Sequence, residues 1–447
     1  MFKEPVNRNY CATVTKLATI LPLEGCDNIA AAIIFGNSVI VDKKSMPGTI
    51  GVYFPPETQL SEEFLHNNNL YHDPTLNADQ DKKGYFEKNG RIKVAKFKGN
   101  KSEGLWLPIT CFDYLKLDSK TNWDSLENAD FDEINNKVIC KKYIPGGRKA
   151  SNPSSKKANK KIVKKFNRLV ENQFRLHNDT LNFRRNAASI KPTDFISISN
   201  KMHGTSCVAG KILVKNPLGR VKTLLKKVVP EISDTYYDIV YSSRTVVKNK
   251  YINNKSDGGF YGYDLWKDIA DKLKDSLLDG ITIYAEAVGY LPTGAAIQSK
   301  YDYGCKPNQF EIYVYRITFT NVSGKMIEFS WPQIKEYCTK FGINHVKEFY
   351  YGMAKDYCPS IPVDLHWHEN FLNKLEKDFM LDRDCPLCKN KVPEEGIVIS
   401  VETLFERISY KLKNFRFLDK ERKDNDAEVI DLETEQALDT TDGIDEA

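Results

Sequence analysis

Residues 196–206 read Ile-Ser-Ile-Ser-Asn-Lys-Met-His-Gly-Thr-Ser. Ile196 and Ile198 alternate with Ser197 and Ser199, which is the period of a half-buried strand. Lys201 falls at the end of that strand, and Gly204 gives the backbone the freedom for a tight turn just beyond it. A lysine held at a strand end can approach a phosphate. Near its ordinary pKa of about 10.4 it is protonated and unreactive, so a nucleophilic role requires neighbouring cations or burial. Alone, Lys-x-His-Gly describes equally well an ordinary turn with a surface lysine.

The pattern gains weight from a series of charged and aromatic residues downstream of it. Ser243-Arg244 closes a strand-like run, Glu286 sits within IYAEAVG, and Tyr315 lies within IYVYRI. Glu395-Gly396 leads into the apolar run of PEEGIVIS, and Lys411-Leu412-Lys413 lies within SYKLKNF. Over 410–414 a period of two puts Lys411 and Lys413 on one face and Tyr410 and Leu412 on the other, so two cations converge while the opposite face packs. These are the cations that Lys201 would need.

The series resembles motifs I, Ia, III, IIIa, IV and V of the covalent nucleotidyltransferases, the superfamily of RNA ligases, DNA ligases and capping enzymes. Upstream, QFRLHNDT (173–180), GVYFPPETQLSEEF (51–64), KGYFEKNGRIKVAKFKG (83–99) and SEGLWLP (102–108) are similar to nick-sealing RNA ligases with an N-terminal OB domain. The likeness spans most of residues 1–418. It implies an α+β protein with an OB-like β-barrel over 1–155 and an adenylyltransferase domain of ATP-grasp-like antiparallel sheets with helices over 156–418. It also implies ATP, Mg2+ or Mn2+, and an RNA partner, with a nicked duplex as substrate. Lys201 would form a lysyl-AMP, pass the AMP to an RNA 5′-phosphate, and allow a 3′-OH to close the phosphodiester. Lys411 and Lys413 would assist that transfer. Asn200, His203, Gly204, Arg244, Glu286 and Tyr315 would surround the nucleotide, and Glu395 with Glu286 would face the metal. A carboxylate beside polyphosphate calls for a divalent cation, since otherwise like charges repel. One position departs from the superfamily's Lys-x-Asp-Gly: His203 can hydrogen-bond a metal-bound water but adds no negative charge.

Composition agrees without being specific. The 41% hydrophobic and 28% charged residues are those of an ordinary soluble chain, and the ten cysteines are scattered as in a reducing compartment. No apolar run is long enough to span a bilayer and no leader is evident, so no membrane association and a cytoplasmic location are expected. The net charge is +5, but residues 424–447 hold ten acids and no Lys or Arg, which leaves about +15 on the rest. Such a body suits a polyanion. Residues 419–447 read as a disordered acidic tail that could make weak contact with the basic groove. PGGRKASNPSS (145–155) reads as a linker, and the apolar spacing over 160–176 predicts a basic amphipathic helix. Further helices are expected around Trp266–Leu277, Ile334–Phe341 and Phe371–Phe379.

Weaker signals remain. Cys385 and Cys388 form half of a zinc site, with Cys358, His366 and His368 as nearest further ligands, or simply two free thiols. Val429–Glu433 has the form of a strand that adds to a partner sheet, although so short a pattern recurs by chance. His72 and His345 read as structural or surface residues. Two other functions stay open: a GTP-dependent capping guanylyltransferase, disfavoured because too little ordered sequence follows Lys413 to build its OB domain, and a non-catalytic RNA-binding protein with a ligase-like fold.

Overall fold

The computed structural model describes residues 2–117, 121–144, 167–177, 179–217, 233–248, 263–403 and 406–426. The linker at 145–155, the start of the basic amphipathic segment and the Val429–Glu433 motif lie outside these residues. The described chain is α+β and separates into two compact units. One comprises Met1–Ile144, Leu181–Ala187 and Leu418–Lys423; the other comprises Pro145–Thr180, Ala188–Phe417 and Asp424–Ala447.

The first unit is built on short strands: β1 (Ala12–Lys16), β2 (Thr19–Pro22), β3 (Ile29–Ile34), β4 (Asn37–Asp42), β5 (Ile50–Phe54), β6 (Ala95–Phe97), β7 (Asn100–Ser102), β8 (Leu105–Pro108) and β9 (Asp130–Phe131). They form an antiparallel sheet β8–β5–β1–β9, a sheet β2–β3–β4 and the hairpin β6–β7. Alternation sends Val14, Val52, Phe54 and Phe131 inward, where they meet Phe64 and Phe112 in a core. Arg185 pairs with Asp130 at 2.5 Å and Arg184 with Glu103 at 3.5 Å, which ties residues 181–187 into this unit. Among the described residues the sheets remain separate and no closed barrel joins them.

The second unit contains two antiparallel sheets. The first orders β12 (Thr235–Ser242), β11 (Thr205–Lys215), β13 (Ile281–Gly289), β14 (Phe310–Thr320) and β15 (Met326–Glu328). Within this unit the second orders β18 (Arg407–Lys413), β17 (Gly396–Glu402), β10 (Phe195–Lys201) and β16 (Glu348–Met353). The Arg407 guanidinium links them, donating to the Tyr315 carbonyl at 2.6 Å and to Ser197 Oγ at 2.9 Å.

Helices form where their spacing predicts. In α1 (Leu265–Leu273) the buried Leu265, Trp266, Ile269, Ala270 and Leu273 recur at three- and four-residue steps, and Asp264 caps the first turn through Lys267 N–H. The second, α2 (Trp331–Phe341), begins with a Ser330–Gln333 capping box and stops at Gly342, whose φ of 63° is left-handed. The third, α3 (Trp367–Phe379), buries Trp367, Phe371, Leu372 and Leu375. Two expectations fail. The described part of the amphipathic segment, 167–176, is not helical: Leu169 bridges Val214, and Leu169 and Phe174 pack on Ile212, Val214 and Val240. Their spacing serves a sheet edge rather than a helix face. At the other end α4 (Phe415–Asp426) carries helix into residues read as acidic tail, anchored by buried Phe415 and Phe417. No helix among the described residues is long and apolar enough to cross a membrane.

Candidate active site

Strand β10 ends at Lys201 in one sheet and β11 begins at Thr205 in the other, so Met202-His203-Gly204 turns the chain between them. Lys201 lies opposite Gly396 on β17, and Gly396 lies opposite Lys413 on β18. Lys201 and Lys413, far apart in sequence, are thereby brought level across three strands. Glycine is required at both joints. A Cβ on Gly396, whose φ is 146°, would stand 2.1 Å from the Leu412 carbonyl oxygen, and one on Gly204 would stand 2.2 Å from that of Ala287.

Glu395 is the hub. Its side chain is 2% exposed, and its Oε1 lies 2.8 Å from Lys201 Nζ and 3.6 Å from Lys413 Nζ. Its Oε2 is 4.0 Å from His203 Nδ1 and has no hydrogen-bond partner among the described residues. A buried carboxylate oxygen left without a donor is costly and suits a cation. His203 donates its backbone N–H to Tyr303 Oη at 2.7 Å, while its ring stands edge-on to Tyr301 and Phe417 at 4.8 and 4.9 Å. The aromatic walls fix the imidazole.

Lys411 is half-buried as a residue, yet dehydration of its ammonium lowers its pKa to about 7, with Lys413, Lys201 and Arg244 adding repulsion and Asp179 opposing them. On β13, Glu286 Oε1 accepts the Gly204 N–H at 3.0 Å. Tyr315 Oη on β14 lies 3.3 Å from Ser206 Oγ and 3.0 Å from His177 Nδ1, and burial pushes its phenol well up. Arg244 is paired with Asp179. Asn200 is buried, its N–H donating to the Lys347 carbonyl at 2.9 Å while its Oδ1 has no partner among the described residues.

The candidates meet unevenly. Lys201, His203, Lys413 and Glu395 form one contact group, and Gly204 with Glu286 a second beside it. Among the described residues no three His, Cys, Asp or Glu side chains converge as a metal site. Cys385 and Cys388 therefore find no third ligand there; a thiol hydrogen bond between them lowers Cys385 to about 7 and raises Cys388. His345, read as structural, packs edge-on to Trp331 at 5.6 Å. Several neighbours were not singled out from the sequence: His177, Asp179, Tyr301, Tyr303, and Gln298, whose Nε2 donates to the Gly204 carbonyl at 2.8 Å. His177 and Asp179 lie in the QFRLHNDT segment, which did carry a signal. Nothing in spacing marks Gln298, 94 residues from its partner.

Two antiparallel sheets joined by the turn after Lys201, with Lys411 and Lys413 on the strand beyond β17, make a mixed α+β fold around a cluster of charged side chains. Residues 194–413 match the RNA ligase family, and this part of the chain is an RNA ligase family domain. Solved structures share the architecture. A Naegleria gruberi RNA ligase variant with ATP and Mn has a TM-score of 0.57 at 14% identity, covering 93% of this chain and 99% of that one. A variant with AMP and Mn gives 0.54 at 14% over 92% and 98%, and the same ligase with PPi gives 0.54 at 12% over 94% and 100%. At such identity the likeness concerns the fold. No curated protein sequence matches the chain.

Proposed function

We propose that this chain is an ATP-dependent RNA ligase that joins RNA 3′-OH and 5′-phosphate ends at nicks in duplexes, as in RNA repair. The observation that carries this is the convergence of Lys201, Lys413 and Glu395, with Lys411 beside them, inside a domain of the RNA ligase family. The ATP, AMP, Mn and PPi held by the Naegleria ligase structures support the cosubstrate and the metal.

In the first step Lys201 leaves Glu395, loses a proton and attacks the α-phosphorus of ATP. The N–P bond forms as the bond to the bridging oxygen breaks, and pyrophosphate departs. Lys411 and Lys413 stabilise the charge that grows on the α-phosphate, as fixed cations do best when water is excluded. An RNA 5′-phosphate oxygen then attacks the same phosphorus and releases Lys201. Finally a 3′-OH attacks the 5′-phosphate and AMP leaves. A bound Mn2+ or Mg2+ supplies positive charge against the triphosphate, and Glu395, through Oε2, and Glu286 are the residues that would hold it. Gly204, pinned by Glu286, and Asn200, Arg244 and Tyr315 bound the nucleotide. In this scheme residues 1–155 serve as the OB-type module and 156–418 as the adenylyltransferase, supported by the strand-rich first unit and by the coverage of the solved ligases.

Incubation with α-labelled ATP or GTP and a denaturing gel test the proposal. Label from ATP that disappears in Lys201→Ala is expected. Label from GTP alone would make the protein a guanylyltransferase, and no label from either would leave a non-catalytic RNA-binding protein.

A further inference from the structure

Cys385 and Cys388 take no part in the chemistry proposed above, yet their surroundings are those of reactive thiols. In Cys385-Pro386-Leu387-Cys388 the proline presets a turn that Cys388 N–H closes on the Cys385 carbonyl at 3.2 Å, and the two sulfurs share a hydrogen bond. Cys385 Sγ also accepts the N–H groups of Leu387 and Cys388, while Cys388 Sγ accepts that of Tyr303. Donors aimed at sulfur favour the thiolate, the form that exchanges with disulfides. Burial acts the other way, as at Cys11, pushed up to about 11, and Cys338, pushed up to about 12. Cys385 is buried, but Cys388 is half-buried and its neighbour Leu387 is 40% exposed, so the outer sulfur lies close to solvent. Two sulfurs at the ends of one turn can join without a third group, and among the described residues no third His, Cys, Asp or Glu completes a metal site with them.

The cysteine turn is clasped to the segment that holds the turn after Lys201. Asp302 accepts Lys389 N–H at 3.1 Å, Asn390 N–H at 3.2 Å and Asn390 Nδ2 at 3.0 Å, and Tyr301 Oη donates to the Pro393 carbonyl at 2.9 Å. Between them Tyr303 has a left-handed φ of 46°, its own N–H on Cys388 Sγ and its Oη on His203 N–H at 2.7 Å. One residue thus touches the thiol pair through its backbone and the 202–204 turn through its side chain. A disulfide sulfur accepts a hydrogen bond less well than a thiolate, and a residue held at an unfavourable φ by such contacts shifts when one is lost. We propose that Cys385 and Cys388 are a reversible dithiol–disulfide site, closed by small-molecule disulfides, whose state reaches the turn after Lys201 through Tyr303. Cys388 attacks the small disulfide, whose S–S bond breaks and releases one thiolate. Cys385 then attacks Cys388 Sγ, the internal S–S bond forms and the second thiolate leaves. Two electrons pass from the protein to the reagent, and the two thiol protons end on the two small thiols released. The effect on adenylylation rests on the RNA ligase reading; the site and its link to His203 do not.

The test equilibrates the full chain with glutathione and glutathione disulfide over a range of ratios, followed by acid quench, alkylation and peptide mass mapping. The peptide that carries both cysteines should lose two hydrogens, regain them in dithiothreitol, and show no such loss in Cys388→Ser. Hydrogen exchange read by mass spectrometry should be roughly tenfold faster at the 202–204 amides in the oxidised protein, as expected for the loss of one hydrogen bond. Tyr303→Phe should oxidise as readily, with exchange over 202–204 already raised and no longer changed by oxidation. Labelling by ATP should be about tenfold slower in the oxidised protein, because the turn beside the nucleophile is displaced, and dithiothreitol should restore it. A disulfide that forms at no ratio, a glutathione adduct that never resolves, or a disulfide that leaves exchange over 202–204 unaltered would overturn the proposal. So would zinc that binds one to one and shields both thiols from alkylation, or labelling equally fast in both states. If neither state labels at all, the ligase reading fails, and the mass and exchange measurements still judge the dithiol site.

Discussion

At Glu395 one buried carboxylate holds two lysines through a single oxygen and leaves the other without a hydrogen bond among the described residues. The ion pair holds Lys201 against Glu395, so the proposed nucleophile must be released before it reacts. Glu395→Ala should therefore do more than free Lys201. With the proposed metal position lost and two cations left facing each other, labelling by ATP should drop about 100-fold or more. A rate that is unchanged, or equally fast in excess EDTA, would remove Glu395 from the metal's coordination. Lys411 makes a separate prediction. Its proton is held to about pH 7 in the folded protein against an ordinary value of 10.5. Across that window the unfolded chain binds the extra proton, so stability rises with pH from about 7 upward, and the burden of the buried charge is fully present below 7. Lys411→Met should raise Tm more at pH 6 than at pH 10. Triphosphate nearby favours the charged lysine, so ATP binding at pH 8 should take up a proton, visible by calorimetry as a dependence on buffer ionisation enthalpy. Persistence of that dependence in Lys411→Met would assign the proton elsewhere.

Among the elements, the three strands β10, β17 and β18 do the positioning. Lys201 ends β10, Glu395 directly precedes β17, and β18 carries Lys411 and Lys413; the register through Gly396 brings Lys201 and Lys413 level. Gly396→Ala would drive a methyl group into the Leu412 carbonyl at a backbone angle that side chains rarely adopt. The strands must part locally, at a cost of roughly 2–4 kcal/mol in stability, as for other backbone clashes in a packed core. Labelling should fall with it, because Lys413 moves away from Glu395. Urea denaturation and gel labelling check both, and a stable, fully active Gly396→Ala protein would show that the register tolerates what the close approach forbids.

For the molecule as a whole, charge asymmetry is the long-range feature. Residues 427–447, outside the described structure, carry eight acids and no base on a chain whose net charge is still +5. If they compete with RNA for basic surface, deleting them should tighten RNA binding at low salt and barely at high salt, since phosphate contacts weaken steeply with ionic strength. Lysyl-AMP formation should change less. Filter binding of both proteins at two salt concentrations decides it, and equal affinities at low salt leave the segment without a role in the groove.

The strand that ends at Lys201, the alternation that points Lys411 and Lys413 the same way, and the helices around Trp266, Ile334 and Phe371 were all legible in the sequence, because each depends on neighbours within a few positions. So was the order of the charged motifs. Spacing misled at Leu169–Phe174, where the same apolar pattern fits a sheet edge, and at 419–426, where helix continues from anchors at Phe415 and Phe417. Only the tertiary structure could show that Glu395 grips Lys201 and Lys413, that dehydration falls on Lys411, and that Tyr303, Gln298 and Glu286 hold the turn. Those facts are distances and dielectric surroundings between residues far apart in sequence, and they exist only once the two sheets have brought them together.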